Sequence, residues 1–327
     1  MKSDRMDWRA RSVLVTGGTG SFGSRFVERM VSTYHPRRLV VFSRDELKQS
    51  QLAARVQDPS LRFFIGDVRD RDRLQRAMHG IDLVIHAAAL KQVPACEYNP
   101  FEAVKTNVLG ANNVIEAAID QGVERVVALS TDKAVNPVNV YGATKLCAEK
   151  MFVQGNSYAG GLKTRMAVVR YGNVVGSRGS VIPLFLDQRD GGELTITDER
   201  MTRFWLTLDE GVDFVVRAVE RMQGGEIFVP KIPSMRVIDL ARAIAPDASL
   251  RVVGVRPGEK LHEVLLSSDE SRHSVDVDGM YVVQPVYAGW SYATPAGAKA
   301  LPADFAFTSD ANTAWCSAEE LKRMVQA

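Results

Sequence analysis

The chain has 327 residues, of which 46% are hydrophobic and 24% are charged, so it is long enough for about two domains of an ordinary globular protein. Its 41 basic and 39 acidic side chains leave a net charge of +2, which argues against a partner nucleic acid or a membrane surface. The three cysteines are far apart and form no Cys-x-x-Cys pair, so the sequence predicts no disulfide framework and no metal site. The N-terminus is too charged for a signal peptide and no apolar run would span a membrane, so we expect a cytoplasmic protein.

The first predicted element is a strand at residues 13 to 15, which leads into a glycine-rich turn and a helix. Gly17, Gly20 and Gly23 permit a tight turn, close approach of the backbone to a pyrophosphate, and close packing of the helix on the strand. Because this motif follows a strand and opens a helix, it predicts a dinucleotide site rather than a simple turn. The cofactor-binding residues predicted in this segment are Gly17, Thr19, Gly20, Ser21, Phe22 and Gly23.

The second predicted strand, RLVVFS, ends where NAD-binding chains usually carry an acidic residue for the ribose 2′-hydroxyl. This chain has Ser43 and Arg44 there, with Lys48 one turn further on. A cation suits a 2′-phosphate, so the sequence predicts NADP rather than NAD, with a solvated surface arginine as the alternative interpretation.

Two further predicted strands bring residues to the same edge of the sheet. RFFIGDVRD delivers Asp67 and Val68 to the carboxyl edge, where open parallel sheets bind ligands, and we expect them to flank the adenine. IDLVIHAAALK ends in the small Ala87 and Ala88, which let the backbone approach the cofactor, and Lys91 projects beyond them.

The densest group of reactive side chains is STDKAVNPVNVYGATK, residues 130 to 145, which follows the fifth predicted strand. Tyr141 and Lys145 are four residues apart, so on a helix they share a face, and the lysine is expected to lower the pKa of the phenol. Thr131, Asp132 and Lys133 add a hydroxyl, an acid, and an amine that becomes a base if burial lowers its pKa. Tyr-x-x-x-Lys alone is an ordinary surface pair, and its place beside a dinucleotide-binding sheet makes it a candidate catalytic site.

The alternation of strands and helices predicts an α/β fold with a Rossmann-type doubly wound parallel sheet and a smaller, interleaved C-terminal substrate-binding domain. We expect the NADP-binding domain at residues 10–175 and about 204–228, and the substrate-binding domain at 176–203 and 229–327. Asn107 lies in a predicted helix and is either a core polar residue or an organiser of the active-site lysine. The sequence does not choose between these two roles.

The motifs TGGTGSFG, GDVRD, HAAALK, Tyr141-x-x-x-Lys145 and RYGNVVG resemble those of the extended short-chain dehydrogenase/reductases. STDKAVNP is more discriminating, because 4-epimerases of that superfamily generally carry serine-rich sequence before the tyrosine, and dTDP-glucose 4,6-dehydratases carry Thr-Asp-Glu. With FSRDELKQSQ, RGSVIPLF, ITDERMTRFWLTLDEG, GGEIFVPKIPS and RPGEKLHE, the chain is similar to the inverting UDP-N-acetylglucosamine 4,6-dehydratases of pseudaminic acid biosynthesis. This resemblance covers residues 12 to about 270.

The resemblance implies an NADP-dependent hydro-lyase that converts UDP-N-acetylglucosamine to UDP-2-acetamido-2,6-dideoxy-beta-L-arabino-hex-4-ulose, the first step of pseudaminic acid biosynthesis for flagellin or surface glycans. It implies that Tyr141, with Lys145 and Thr131, serves oxidation at C4, that Lys133 abstracts the C5 proton, and that Asp132 assists loss of water. A retaining 4,6-dehydratase or a nucleoside-sugar 4-epimerase is the closest alternative. A non-catalytic NADP-sensing protein on the same fold is the other.

The resemblance also implies a substrate site in the second half of the chain and a homo-oligomer, either a dimer or a hexamer. Arginine suits such a site because it forms bidentate contacts with phosphate. Arg203 is weighed equally as a substrate contact and as part of a structural ion pair. Tyr141, Lys145 and Val174 complete the predicted cofactor site. The predicted substrate-binding residues are Lys91, Ser130, Thr131, Asn173, Arg178, Val181, Ile182, Pro183, Thr195, Arg203, Arg256, Gly258 and Glu259.

Overall fold

Short runs of β-branched and other apolar residues form the strands, because such residues pack well in a sheet that is covered on both faces. The computed structural model describes residues 6–177 and 181–326, with the backbone alone at 324–326. The first strands are β1 (Ser12–Thr16), β2 (Arg38–Ser43), β3 (Leu61–Ile65), β4 (Leu83–His86), β5 (Arg125–Thr131), β6 (Arg165–Tyr171), β7 (Asn173–Val174) and β8 (Glu193–Ile196). The others are β9 (Thr202–Leu206), β10 (Ile227–Pro230), β11 (Ser234–Arg236), β12 (Ser249–Val252), β13 (Val264–Leu266), β14 (Ser274–Val277), β15 (Met280–Val283), β16 (Lys299–Ala300) and β17 (Phe307–Thr308).

Helices connect these strands, and several begin at a side chain that accepts a hydrogen bond from the first turn, as Asp45, Asp70 and Asn139 do. The first six are α1 (Ser21–Arg29), α2 (Glu46–Arg55), α3 (Arg71–Met78), α4 (Val93–Tyr98), α5 (Pro100–Ala103) and α6 (Gly110–Asp120). They are followed by α7 (Val140–Tyr158), α8 (Val181–Arg189), α9 (Leu208–Arg221), α10 (Val237–Ile244), α11 (Ser268–Ser271) and α12 (Ala318–Gln326). Single 3₁₀ turns lie at Trp8–Ala10 and Asp132–Ala134, and wider π-helical segments lie at Met30–Tyr34 and Val104–Leu109.

The main sheet has ten strands in the order β16-β14-β15-β10-β6-β5-β4-β1-β2-β3. From β10 to β3 every neighbouring pair is parallel. The chain order changes direction between β1 and β4, and in an open parallel sheet such a reversal opens a crevice at the carboxyl ends of the strands. The predicted Rossmann-type doubly wound sheet is therefore confirmed, and it places the ends of β1, β2, β4 and β5 at one edge.

A second apolar cluster lies apart from the core of the main sheet. It is built by α8, β8, β9, α10 and α12, whose buried members include Phe185, Leu194, Trp205, Leu240 and Leu321. Two small sheets flank it, with strand orders β11-β9-β7 and β12-β8, and β13 pairs with β17. A separate substrate-binding domain would have this second cluster as its core. The division of the chain into two domains remains a prediction.

Part of the C-terminal segment pairs with the main sheet. Strands β14 and β15 lie within residues 229–327, yet β15 pairs antiparallel with β10 at the edge of the main sheet. The reason is burial, because alternate residues of both strands pack into the main core: Val275, Val277, Met280 and Val282. Among the described helices, none is both long enough and apolar enough to cross a membrane.

Candidate active site

The glycine-rich turn lies between β1 and α1, at the reversal point of the sheet. Gly17 has a φ of 65°, and a Cβ there would lie 2.9 Å from the backbone of Ala88. A Cβ on Gly23 would overlap the carbonyl oxygen of Gly17, so the helix can approach the turn this closely only without a side chain. Gly20 donates from its backbone to Gly17 at 2.9 Å, and α1 begins at Ser21. The unpaired N–H groups of a helix start can hold an anion, so this turn fits a pyrophosphate.

Other predicted cofactor-binding residues also lie around this turn. Thr19 is buried, and Phe22 stacks its ring 5.9 Å from Phe26. Ala87 and Ala88 follow β4, and the backbone of Ala88 donates to the hydroxyl of Thr16 at 3.2 Å. This bond draws the chain after β4 against the end of β1, which is the close approach that small residues were predicted to permit.

Arg44 lies directly after β2, and its side chain is 54% exposed. Its Nη1 lies 3.5 Å from Oδ2 of Asp67, which Arg69 contacts more closely at 2.7 Å. Burial raises the pKa of Asp67, but the bonds from Arg69 outweigh it and the pKa is lowered, so Asp67 is a carboxylate. Val68 is buried beside it. Arg44 therefore keeps most of its donors available at the edge where a 2′-phosphate was predicted.

Ser43 and Lys48, the other residues of that prediction, are engaged within the chain. Ser43 is buried, and its hydroxyl accepts a hydrogen bond from Gln49 at 3.1 Å. The ammonium of Lys48 lies 2.6 Å from Asp45, the residue that caps the start of α2. Of Ser43, Arg44 and Lys48, Arg44 has the side chain that is most available to bind an external anion.

The turn Asp132–Ala134 follows β5 and carries the predicted acid and amine. Thr131 donates from its hydroxyl to Oδ1 of Asp132 at 2.9 Å, and Asp132 is fully buried. The ammonium nitrogen of Lys133 lies 3.0 Å from the same oxygen and 3.3 Å from Oε1 of Glu263. A Cβ on Gly142 would overlap the carbonyl oxygen of Lys133, so α7 rests directly on this turn.

The charge of Lys133 differs from the prediction. Burial lowers its pKa, as the sequence suggested, but the carboxylates of Asp132 and Glu263 outweigh burial and raise the pKa above the usual lysine range. The prediction counted on burial and did not include a second carboxylate. In this structure Lys133 is an ammonium ion shared by two acids, so it can act as a base only after it passes a proton on.

Tyr141 and Lys145 lie in the first turns of α7. The ammonium of Lys145 donates to the carbonyl oxygen of Leu129 at 2.7 Å, and burial lowers its pKa to about 8. Burial raises the pKa of Tyr141 to about 12, against the opposing effects of the Lys133 charge and a hydrogen bond with Thr131. Because Lys145 is already neutral where the phenol titrates, the cation that favours the phenolate here is Lys133. This differs from the expectation that Lys145 lowers the pKa of the phenol.

Asn107 is a buried anchor for the loop after β4. Its side chain forms a pair of hydrogen bonds with the backbone of Leu90, at 2.8 and 2.9 Å, and donates to the hydroxyl of Thr144 at 3.0 Å. Thr144 precedes Lys145 on α7. Asn107 therefore joins the β4 loop to α7, and its side-chain hydrogen bonds go to Leu90 and Thr144 rather than to the ammonium of Lys145.

Arg203 lies on β9 and is almost fully buried. Its guanidinium donates to the carbonyl oxygens of Thr202 at 2.7 Å, Lys260 at 3.0 Å and Leu261 at 3.1 Å. Its Nε also lies 3.9 Å from Glu263. These contacts hold residues 260 to 263 against β9, so the geometry favours the structural alternative for Arg203 over a substrate contact.

The other predicted substrate residues are spread over several elements. Thr195 on β8 exchanges hydrogen bonds with Gln188 of α8, and the side chain of Ile182 packs in the second apolar cluster. The backbone of Glu259 donates to the carbonyl oxygen of Arg256 at 3.0 Å in the loop before β13. Val181 and Pro183 begin α8, Asn173 and Val174 form β7, and Lys91 is exposed in the loop after β4. Arg178 lies outside the described residues.

Buried polar side-chain atoms are normally hydrogen-bonded, and those without a partner often mark a ligand site. Within the described segments, the atoms that have no such partner include Ser130 Oγ, Asp132 Oδ2, Asn173 Oδ1, Glu259 Oε2 and Glu263 Oε2. Ser130, Asn173 and Glu259 were predicted to contact substrate. In the same part of the chain, no group of three or more His, Cys, Asp or Glu side chains could hold a metal ion.

Glu263 and Lys260 are the residues that the sequence analysis missed. Lys260 donates to the carbonyl oxygen of Val135 at 2.5 Å and lies 3.8 Å from Glu263. Both residues belong to RPGEKLHE, in which only Arg256, Gly258 and Glu259 were singled out. No spacing rule pairs this segment with the Asp132–Ala134 turn, so composition and periodicity carried no signal for the contact.

Comparison with known proteins places the chain in a family. A family model described as polysaccharide biosynthesis protein matches residues 13–285. The chain is 49% identical over 324 residues to UDP-N-acetylglucosamine 4,6-dehydratase (inverting) of Campylobacter jejuni, covering 96% of this chain and 97% of that protein. It is also 46% identical over 279 residues to UDP-glucose 4-epimerase of Rickettsia felis, covering 83% of this chain and 82% of that protein.

Solved structures agree with this placement. Pen from Bacillus thuringiensis is similar with a TM-score of 0.90 and 38% identity, covering 98% of each chain. DesIV from Streptomyces venezuelae, a dTDP-glucose 4,6-dehydratase with NAD bound, is similar with a TM-score of 0.69 and 28% identity, covering 76% of this chain and 86% of that chain. The chain belongs to the polysaccharide biosynthesis protein family of extended short-chain dehydrogenase/reductases, in which its relatives include the inverting UDP-N-acetylglucosamine 4,6-dehydratase.

Proposed function

We propose that this protein is an NADP-dependent UDP-N-acetylglucosamine 4,6-dehydratase that inverts C5. The observation that carries the proposal is the pair of buried Asp132 and partly accessible Lys133, 3.0 Å apart at the end of β5 and directly against the start of α7. Loss of water beside a ketone needs an acid and a base together, whereas a 4-epimerase needs only the Tyr141 and Lys145 pair. The name of the Campylobacter jejuni relative supports the same reaction.

The nicotinamide cofactor is assigned to the turn between β1 and α1, where Gly17 and Gly23 leave no room for side chains. NADP is preferred to NAD because Arg44 offers a largely exposed guanidinium after β2. When bound, the dinucleotide would accept a hydride from C4 of the sugar and later return it to C6. Val174, in β7, is assigned to the same cofactor site.

Tyr141 is the proposed base for the C4 hydroxyl of the sugar. Its hydrogen bond with Thr131 and the charge of Lys133 both favour the phenolate, and Lys145 can take up the proton as a neutral amine, because its pKa is about 8. Removal of this proton accompanies oxidation at C4. The resulting ketone acidifies the hydrogen on the adjacent C5.

Lys133 and Asp132 then serve the elimination. Transfer of the Lys133 proton to Asp132 within their 3.0 Å contact produces a neutral amine and a protonated acid without any external reagent. The amine takes the C5 proton, the acid gives its proton to the C6 hydroxyl, and water leaves. Hydride addition at C6 and protonation of C5 on the opposite face complete the inversion. Each acid or base step is typically worth ~10² to 10⁴ in rate.

The product of this reaction is UDP-2-acetamido-2,6-dideoxy-beta-L-arabino-hex-4-ulose, and we assign it to the start of pseudaminic acid biosynthesis. The sugar nucleotide is assigned to Ser130, Asn173 and the loop of Arg256 and Glu259. Three of these residues carry the partnerless buried oxygens that a ligand would satisfy. We further propose a cytoplasmic homo-oligomer, and a division into a cofactor domain and a substrate domain.

The test is incubation with UDP-N-acetylglucosamine and NADP⁺ in deuterium oxide, followed by nuclear magnetic resonance of the product. A 6-methyl group with deuterium at C5 and the inverted C5 configuration is the expected result. The same methyl group with unchanged C5 configuration would identify a retaining dehydratase. A product that keeps its C6 oxygen and inverts C4 would identify a 4-epimerase, the candidate that the Rickettsia felis relative favours. No turnover of this or a related nucleotide sugar would favour a non-catalytic protein.

A further inference from the structure

We propose that Glu263 is a positioning residue for this reaction, holding the amine of Lys133 between its own buried carboxylate and that of Asp132. This inference rests on the proposed dehydratase function. It assigns a role to a residue that neither the motif Tyr-x-x-x-Lys nor the Thr-Asp-Lys sequence includes.

The geometry of Glu263 supports this role. Its side chain is 2% exposed, and Oε1 lies 3.3 Å from the nitrogen of Lys133. Asp132 approaches the same nitrogen at 3.0 Å, so two carboxylates fix its position while 24% of the Lys133 side chain stays accessible. The second oxygen, Oε2, lies 3.8 Å from the ammonium of Lys260 and has no hydrogen-bond partner in the described part of the chain. A carboxylate retained only for folding would be expected to have both of its buried oxygens hydrogen-bonded.

The backbone of Glu263 is fixed independently of Lys133. Its N–H donates to the hydroxyl of Ser309 at 2.9 Å, and the N–H of Ser309 donates to its carbonyl oxygen at 2.9 Å. The hydroxyl of Ser309 also lies 2.7 Å from that of Thr202 on β9. Arg203 donates to the carbonyl oxygens of Lys260 and Leu261, earlier in the same segment. The carboxylate is therefore held in place by β9 and the C-terminal segment, and it can impose a position on the lysine.

The position of the Glu263 carboxylate affects the transfer of the C5 proton to Lys133. When Lys133 takes the C5 proton it gains a positive charge, and a fixed carboxylate 3.3 Å away stabilises that charge as it develops. The charged and titratable groups around the amine are the anions Asp132 and Glu263, the cations Arg203 and Lys260, and the phenol of Tyr141. Removal of Glu263 leaves one anion against two cations, so the proton affinity of Lys133 should fall. The amine then loses its own proton more easily, but it is a weaker base for the C5 proton and is held by one carboxylate only, and we expect this loss to outweigh the gain.

The experiment compares Glu263→Gln with the wild-type holoenzyme by following deuterium uptake at C5 of UDP-N-acetylglucosamine across a range of pH. The expected result is a fall in kcat of at least about tenfold with an unchanged KM. The base limb, the part of the pH profile on which the rate rises as Lys133 loses its proton, should be displaced to lower pH by about 1 to 3 units. A pH profile that keeps the wild-type position would overturn the inference. If Glu263→Gln does not fold, Glu263→Asp keeps the charge with a shorter reach, and it should lose rate while the base limb stays in place.

Ser309→Ala is the matched control, because it removes the hydroxyl that accepts from Glu263 but leaves every charge intact. A lowered melting temperature with an unmoved pH profile is expected of it. An equal displacement of the profile in Ser309→Ala would contradict the charge argument. Absence of dehydration by the wild-type protein would contradict the proposed dehydratase function itself. Failure of the Glu263 inference and failure of the proposed function therefore give different results.

Discussion

The side-chain amide of Asn139 donates a hydrogen bond of 2.7 Å to the carbonyl oxygen of Gly258. Its Oδ1 accepts from the backbone of Gly142 at 2.7 Å and so caps α7. One side chain therefore joins the start of the helix that carries Tyr141 to the loop that carries Arg256. The proposed catalytic residues and the proposed nucleotide-binding loop share this anchor, although they are far apart in the sequence.

Substitution of Asn139 should separate its two roles. Asn139→Ala removes both bonds and should lower the free energy of unfolding by about 1 kcal/mol or more, the usual value of a lost helix cap. Asn139→Asp keeps the capping oxygen and loses the donor to Gly258, so it should unfold like the wild type and show a raised KM for UDP-N-acetylglucosamine. Urea denaturation and steady-state kinetics measure the two effects. An unchanged KM in Asn139→Asp would show that the bond does not position the loop.

Lys133→Ala and Asp132→Asn should block elimination and spare cofactor binding. Each removes one partner of the proposed acid–base pair, so dehydration should fall by ~10² to 10⁴. Both residues follow β5, two strand positions from β1 and its glycine turn, so the Kd for NADP⁺, measured by fluorescence titration, should stay close to the wild-type value. Undiminished release of water from Lys133→Ala would remove the basis for its role. A matching loss of NADP⁺ affinity would instead indicate general disruption of the fold.

The sequence predicts those parts of the molecule whose interactions are local. The strand, glycine turn and helix around Gly17 depend on residues close together in the chain, and the doubly wound sheet follows from the alternation of elements. The charge of Lys133 could not be predicted, because it depends on Glu263, which reaches the turn through the packing of β9 and β13. The pairing of β14 and β15 with the main sheet was missed for the same reason. Short apolar strands do not identify the sheet edge on which they will be buried.

Arg44 should determine the preference for the phosphorylated cofactor. Loss of a hydrogen bond to a charged group costs about 1.5 to 3 kcal/mol, so Arg44→Ala should weaken NADP⁺ about 10- to 100-fold and leave NAD⁺ nearly unchanged. Isothermal titration with each dinucleotide measures the ratio. Arg55→Ala is a suitable control, because Arg55 ends α2, the helix that follows Arg44, and pairs with Glu28 at 2.9 Å. Equal weakening of both dinucleotides by Arg44→Ala would contradict the assignment.

Lys145 should make the stability of the protein depend on pH in a defined direction. Burial lowers its pKa from 10.5 to about 8, so between these values the unfolded chain binds a proton that the folded chain does not. The free energy of unfolding should therefore rise with pH above about 8 by roughly 1 kcal/mol per pH unit, and this contribution is lost as the pH falls through 8. Lys145→Met removes the slope. Urea denaturation of both proteins between about pH 7.5 and 9.5 checks this, and parallel curves would contradict it.

Arg170 is fully buried and joins three elements through an ion cluster. Its guanidinium lies 2.6 Å from Glu149 of α7 and 3.0 Å from Glu270 of α11, and it donates to the carbonyl oxygen of Leu265 at 3.0 Å. Arg170→Met leaves Glu149 buried without a counter-charge, which should cost about 3 to 5 kcal/mol.

The double variant Arg170→Met with Glu149→Met should recover much of that loss, because apolar side chains of similar size often replace a buried pair without penalty. Chemical denaturation of the two single variants and the double variant completes a double-mutant cycle. Additive losses would mean that the two side chains act independently. A strong coupling would identify the pair as the main fixed contact between β6 and the helix that carries Tyr141, and kcat should then recover together with stability in the double variant.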